Sequence, residues 1–281
     1  MKHTNYEIRS ASHPDDAKKY DTERIRKEYL VSNIFEKDKI NLVYSDYDRF
    51  IVGGAFPVNN SLELETIDPL KASNFLDRRE MGIINIGGEA LVKANGTDYK
   101  IGHREAIYLG MGTKDVTFSS ADKSNPAKLY INSAPAHKEF PVKQVTLADA
   151  VVAEMGSLES SNKRKINKLL VNGVVDTNQL QMGMTQFEAG SVWNTMPAHT
   201  HGRRMEAYFY FEVPDDQAIC HFMGQPKETR HIWLQNEQAV ISPNWSLHAG
   251  VGTAQYTFIW GMAGENLDYG DMDTIKPSDL R

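Results

Sequence analysis

Short runs of alternating apolar and polar residues dominate the chain from Ile40 onward. Residues 41–45, 49–52, 82–86, 90–93, 99–101, 106–109, 116–118 and 127–131 are rich in β-branched and aromatic side chains, and each reads as a strand. Gly53-Gly54 reads as an interruption after the second run, and Asn95-Gly96 predicts a tight hairpin between two others. A second series covers residues 179–182, 184–187, 207–213, 218–222, 230–234, 239–242 and 256–260. Strands recurring every ~8–12 residues with turn residues between them predict an all-β sandwich or barrel. Residues 133–165 read as a connection punctuated by Pro135 and Pro141, with Ser160-Ser-Asn-Lys-Arg-Lys165 as a basic surface loop. Upstream, Pro14 and Asp21 read as helix starts in a polar N-terminal arm. The acidic tail from Glu265 to Arg281 is expected to pack on that arm or on a partner.

The two series echo each other. Glu105-Ala-Ile-Tyr-Leu and, further on, Gly112-Thr113 correspond to Gln238-Ala-Val-Ile-Ser and Gly252-Thr253: a strand, a glycine-containing loop, then another strand. The pattern predicts an arm over residues 1–45, a first β-barrel over 46–150 and a second over 151–281.

Candidate chemistry lies in the second copy. His199 and His201 are two apart, so on a strand both side chains reach one face. An uninterrupted strand would turn Glu206 away, but Gly202-Arg203-Arg204 supplies a break. On the strand that follows, Glu206, Tyr208, Tyr210 and Glu212 share one face, and Ala207, Phe209 and Phe211 share the other. With His248 after Pro243, the side chains of His199, His201, Glu206 and His248 form a four-ligand metal set, whereas the first copy lacks both the His-x-His pair and the later histidine.

Composition narrows the class. The chain has 281 residues, 41% of them hydrophobic, which is enough for a sizeable core. A net charge of −6 argues against a general nucleic-acid or membrane-surface binder, and no apolar run approaches the ~20 residues of a spanning helix. A single cysteine, Cys220, permits no intrachain disulfide, and with no secretory segment the expected compartment is the cytoplasm.

At His199-Thr-His201, Glu206 and Pro243-Asn-Trp-Ser-Leu-His248 the chain resembles a cupin, with Trp245 where that pattern usually has Gly, Gly190 lying further upstream than usual, and Gly252 where Asn is common. Residues 78–88, 193–197, 203–211, 223–231, 236–243 and 258–262, including Arg203-Arg-Met-Glu206 and Met223-Gly-Gln-Pro226, resemble the 5-keto-4-deoxyuronate isomerase family, essentially end to end. The resemblance implies two tandem cupin-type jelly-roll barrels with an N-terminal helical arm, and one zinc ion per subunit on His199, His201, Glu206 and His248. It also implies a homohexamer and a cytoplasmic step in pectin-derived uronate breakdown.

The implied reaction is an aldose–ketose isomerisation of a small sugar acid through a metal-stabilised cis-enediol. Such chemistry needs a Lewis acid and a base. Glu206 and Arg203 are the catalytic candidates, while Tyr208, Tyr210, His221 and His231 are unranked alternatives for the base. Arg164, Arg203 and Arg204 are candidates for the substrate carboxylate, followed by Lys168 and Arg230. The same ligands would also serve an iron-dependent dioxygenase, and a non-catalytic sugar-binding cupin is a third reading.

Overall fold

The computed structural model describes residues 3–281, and the fold is all-β. Four sheets form two pairs. In the first pair, a seven-stranded sheet runs in the order Thr4–Arg9, Ile40–Ser45, Ile51–Ala55, Leu129–Pro135, Arg79–Asn85, Ala106–Leu109, Lys143–Val145. It is accompanied by a four-stranded sheet of Leu62–Glu63, Thr117–Ser120, Ala90–Ala94 and Thr97–Ile101. In the second pair, the seven strands are Val151–Met155, Arg164–Leu170, Gln181–Phe187, Thr257–Gly264, Arg204–Phe211, Gln238–Ser242 and Leu30–Val31. The five-stranded companion is Glu228–Leu234, Ile219–Gln225, His248–Gly252, Trp193–Thr200 and Asp273–Thr274.

Contacts divide the described chain into two compact units: residues 3–9, 33–151 and 169–182, and residues 10–32, 152–168 and 183–281. The segment anticipated as an arm over residues 1–45 is therefore shared between them. Its helices, Pro14–Ala17 and Thr22–Tyr29, start where Pro14 and Asp21 predict, and the Asp21 side chain accepts from the Arg24 amide. Thr4–Arg9 is a strand that alternation does not reveal, because its side chains are largely exposed and it is held by parallel pairing with Ile40–Ser45.

The Asn95-Gly96 hairpin is as expected: Ala94 pairs with Thr97, and both turn residues have positive φ, 51° and 79°. Gly53-Gly54 is not an interruption. Both residues lie inside the strand Ile51–Ala55, where a Cβ on Gly53 would come within 2.1 Å of the Asn41 carbonyl oxygen. The glycines mark close backbone approach, not a turn. Ser160–Lys165 is a loop only in part, since Arg164 already begins the strand Arg164–Leu170.

The first unit is filled by apolar side chains, among them Ile40, Leu62, Met81, Ile83, Phe118 and Ile131. On the opposite face of the strand carrying Met81, Glu80 is fully buried. Its carboxylate accepts from the Tyr108 hydroxyl at 2.7 Å and from the amides of Asn178, Gln179 and Leu180 at 2.7, 2.8 and 2.8 Å. With the Asn178 side-chain amide at 3.3 Å, five donors around one buried carboxylate pin the returning segment to the sheet.

Glu80→Gln places an amide N–H₂ against those donors. The expected loss is about 3 kcal/mol, read as a fall in thermal midpoint on the order of 10 °C. An unchanged midpoint would show that this latch does not hold the unit.

Candidate metal centre

The site lies between the two sheets of the second unit. The strand Arg204–Phe211 is paired on both sides, with Gln238–Ser242 and with Thr257–Gly264, and it delivers Glu206. His199 comes from Trp193–Thr200, and His248 sits directly opposite it in register. His201 follows in the turn that Gly202 opens, as its spacing predicts. Between Asn194 and His199 the pairing register shifts, and within this irregularity Thr195 has a φ of 48°. A bulge beside a site redirects side chains, and here Thr195, Met196 and Pro197 line the cavity.

Four donor atoms meet. His199 Nε2 lies 3.1 Å from His201 Nε2 and 3.0 Å from His248 Nε2, and Glu206 Oε2 lies 3.1 Å from His201 Nε2 and 3.0 Å from His248 Nε2. All four residues fall within the reach of one ion. His201, Glu206 and His248 are buried, while His199 is half-buried and faces the cavity. Burial drives His199 down to about 2 and lowers His248, so both imidazoles are neutral. Burial alone would raise Glu206, but His248 and His201 beside it hold it well below the usual carboxylate range.

The tautomer of His201 follows from its other nitrogen. Nδ1 lies 2.6 Å from the Asp271 carbonyl oxygen, which can only accept, so Nδ1 carries a proton, and the neutral ring then has its lone pair on Nε2. Neutral imidazole lone pairs converging with a carboxylate repel one another unless a cation lies among them. The ~3 Å spacings also suit donors around an ion with bonds of about 2.0–2.1 Å. The residues fit a metal ion.

The cavity above the cluster has a volume of about 280 Å³. Its polar wall comprises Arg164, Thr185, Thr195, Tyr208, Tyr269 and Thr274, and its apolar wall includes Ile166, Phe258, Trp260 and four methionines, Met155, Met196, Met262 and Met272.

Of the predicted cations, only Arg164 lines this space. Arg203, in the turn between the ligand strands, points outward with its side chain 58% exposed and pairs with Glu265 and Asp271. Arg204 is buried behind the ligands, where its Nη2 donates to the Asp271 carbonyl at 3.0 Å. The strand boundary explains the difference: Arg203 is still in the turn, whereas Arg204 begins the strand and shares the face of Glu206. Lys168 packs its ammonium over the Tyr269 ring, and Arg230 is taken up by the Lys18 carbonyl.

Of the four unranked bases, only Tyr208 reaches the cavity. Its hydroxyl lies 3.3 Å from Thr195 Oγ1, and burial raises it well above the ordinary phenol value. Tyr210 and His221 bond each other at 2.7 Å in the interior, and His231 is exposed on Glu228–Leu234.

The acidic tail, expected on the arm or on a partner, also reaches the site. Residues 265–275 pack on the site of their own unit: Glu265 donates to the Arg203 carbonyl, Ile275 to that of Ala198, and Asp273–Thr274 pairs with Thr200 and His199. This brings in Tyr269, Met272 and Thr274, which no motif signalled.

Comparison with known proteins adds the family. The model of the KduI/IolB family matches residues 32–275. A protein of Bacteroides fragilis strain YCH46, named 4-deoxy-L-threo-5-hexosulose-uronate ketol-isomerase, is 61% identical over 278 residues, covering 99% of each chain. One from Bacteroides thetaiotaomicron, carrying the same name with the suffix 1, is 62% identical with the same coverage. One from Lachnoclostridium phytofermentans is 54% identical over 275 residues, covering 98% of this chain and all of the other. Among solved structures, an IolB-like protein from Salmonella typhimurium superposes with a TM-score of 0.71 at 17% identity, over 88% of this chain and 96% of the other. The Lactobacillus farciminis oxalate decarboxylase gives 0.56 at 10% identity, over 80% and 79%. At these identities the structural likeness shows the fold.

His248→Ala removes one of the four donors. Metal affinity is expected to fall by more than the roughly 10–100-fold that loss of an outer partner costs, read by elemental analysis after dialysis against a competing chelator. Metal content equal to wild type would rule out His248 as a ligand.

Proposed function

The chain belongs to the KduI/IolB family, and from that premise we propose that it converts 4-deoxy-L-threo-5-hexosulose uronate to 3-deoxy-D-glycero-2,5-hexodiulosonate with one zinc ion per subunit. It is an isomerase of the ketol-isomerase class. The further reading is of two tandem cupin barrels that assemble as a homohexamer and act in the cytoplasm on uronates released from pectin. The observation that carries the proposal is the three-histidine, one-carboxylate cluster facing a cavity whose only other charged side chain, among the described residues, is Arg164. A single cation opposite a metal-binding cluster suits a small molecule with a carboxylate at one end and a carbonyl at the other.

The isomerisation takes a proton from C2, passes through a cis-enediol and returns a proton to C1. A divalent ion held by His199, His201, Glu206 and His248 supplies Lewis acidity toward the substrate's oxygens, on the order of several kcal/mol. The protein's own groups supply position and protons. Tyr208, kept protonated by burial, offers its O–H to a substrate oxygen. Glu206, on the cavity wall, stays ionised beside His201 and His248 and is the carboxylate able to accept the C2 proton and pass it to C1. Arg164 binds the carboxylate. Arg203, exposed and paired with Glu265 and Asp271, has no part in the chemistry. The methionines, Phe258 and Trp260 exclude water from the reacting carbons.

Turnover of the unsaturated-uronate product of a pectin lyase is expected to vanish on chelation and to return with zinc. His199→Ala should lose at least about 100-fold in kcat with an unchanged circular dichroism spectrum. Full turnover by the chelated protein or by that variant would overturn the metal mechanism. Stoichiometric metal without turnover of this substrate would overturn the substrate assignment.

A further inference from the structure

We propose that Tyr269, together with Arg164 and backed by Lys168, forms the carboxylate subsite of this cavity, making Tyr269 a substrate-binding residue. The substrate's identity rests on the isomerase reading, but the subsite itself rests on the geometry below.

Three side chains of the second unit meet here from separate parts of the chain. Arg164 and Tyr269 both line the cavity. Arg164 donates from Nη1 to the Asn162 carbonyl at 2.9 Å, and its remaining N–H groups have no acceptor among the described residues. The Tyr269 hydroxyl likewise has no hydrogen-bond partner among them. Glu206, the only carboxylate on the wall, is engaged by His201 and His248. A largely buried guanidinium with no counter-ion is costly, and a neighbouring O–H without an acceptor makes the same demand. Two donor groups on the wall of one cavity, without an acceptor, complement an anion with two oxygens.

The ring of Tyr269 is held for that task. Lys168 Nζ lies 3.8 Å from its centroid, and Trp260 packs against it at 5.4 Å with a 55° tilt. The ammonium over one face fixes the ring and draws charge from the phenol, which strengthens the O–H as a donor. Burial pushes that phenol up to about 12, so it keeps its proton at neutral pH. The backbone fixes the ring as well: on one side Glu265 donates to the Arg203 carbonyl, and on the other the Asp271 carbonyl is gripped by Arg204 and His201. Lys168 is a positioning residue. It does not line the cavity, and it acts through the ring.

The test is kinetic and calorimetric. Tyr269→Phe should raise KM about 10-fold, as expected for one lost bond to a charged group, with kcat within about twofold. Arg164→Met should raise KM about 100-fold, the scale of a lost bidentate pair. Lys168→Met should raise KM several-fold, and Lys168→Arg, which keeps a cation over the ring, should restore it. A purely structural role for Lys168 would not give that split and rescue. In parallel, titration calorimetry with D-gluconate, a sugar acid without a carbonyl, should show the same ranking in zinc-loaded and chelated protein. KM and gluconate affinity unchanged in Tyr269→Phe would overturn the proposal, as would wild-type protein that binds no gluconate. If the uronate is not turned over while gluconate binding still falls in both Tyr269→Phe and Arg164→Met, the isomerase reading fails and the subsite stands.

Discussion

The centre depends on one geometric constraint, the period-two alternation of the strand Arg204–Phe211. This strand is paired on both sides, so its register cannot slip without turning every side chain to the other face. That register sends Glu206, Tyr208 and Tyr210 inward and Ala207 and Phe209 outward. The first unit shows what one position is worth. Its strand Arg79–Asn85 occupies the same place in its sheet, between Leu129–Pro135 and Ala106–Leu109. Register aligns Met81, opposite Leu109, with Glu206, opposite Ser242. The sequences there read Arg-Arg-Glu-Met and Arg-Arg-Met-Glu. With the two residues exchanged, Met81 enters an apolar core, and Glu80 turns to the other face to take the amides of Asn178, Gln179 and Leu180. The same carboxylate is a latch in one unit and a candidate metal donor in the other.

From that strand the constraint spreads outward through His201. A neutral histidine presents a lone pair at Nε2 when its proton sits on Nδ1, and the acceptor that favours this tautomer here is a backbone carbonyl on residue 271. Arg204 holds the same carbonyl. The segment that fixes the tautomer also carries Tyr269 and Met272 into the cavity. The orientation of the candidate metal donors and the shape of the cavity are therefore one problem, solved by one stretch of backbone. A disturbance at Arg204 would reach both, although its guanidinium does not line the cavity.

Much of this was legible in the sequence because it rests on spacing. The His-x-His pair, the break at Gly202, the facing of Glu206 and the hairpin at Asn95-Gly96 are all parity or turn arguments, and the strands and pairings follow them. What escaped lacked a local signature. The strand Thr4–Arg9 is held by backbone pairing with exposed side chains, so no alternation marks it. Gly53-Gly54 reads as a turn until the neighbouring Asn41 carbonyl is in view. Arg203 and Arg204 could not be told apart as ligands of an anion without knowing which faces solvent and which is walled off behind His201. Tyr269 lies in an acidic tail with no periodicity, and only the tertiary course of the chain brings it to Arg164.

The two units also differ in what keeps them standing. The first closes its sheets over aliphatic and aromatic side chains. The second holds polar groups and a cavity where such a core would lie, and so gives up apolar burial worth roughly 25 cal/mol per Å². Bracing from distant parts of the chain offsets that loss. Leu30–Val31 extends its large sheet by pairing with Val240 and Ala239. Tyr29, at the end of the helix Thr22–Tyr29, packs edge-on at 6.4 Å against Trp245, in the turn that delivers His248. Asp273–Thr274 closes the other sheet alongside His199. The bulky Trp245 is thus accommodated because a helix from residues 10–32 supplies the surface it packs on. A site of this kind needs rigid donors around an unfilled space, and the elements that look peripheral in the sequence are the ones that supply the rigidity.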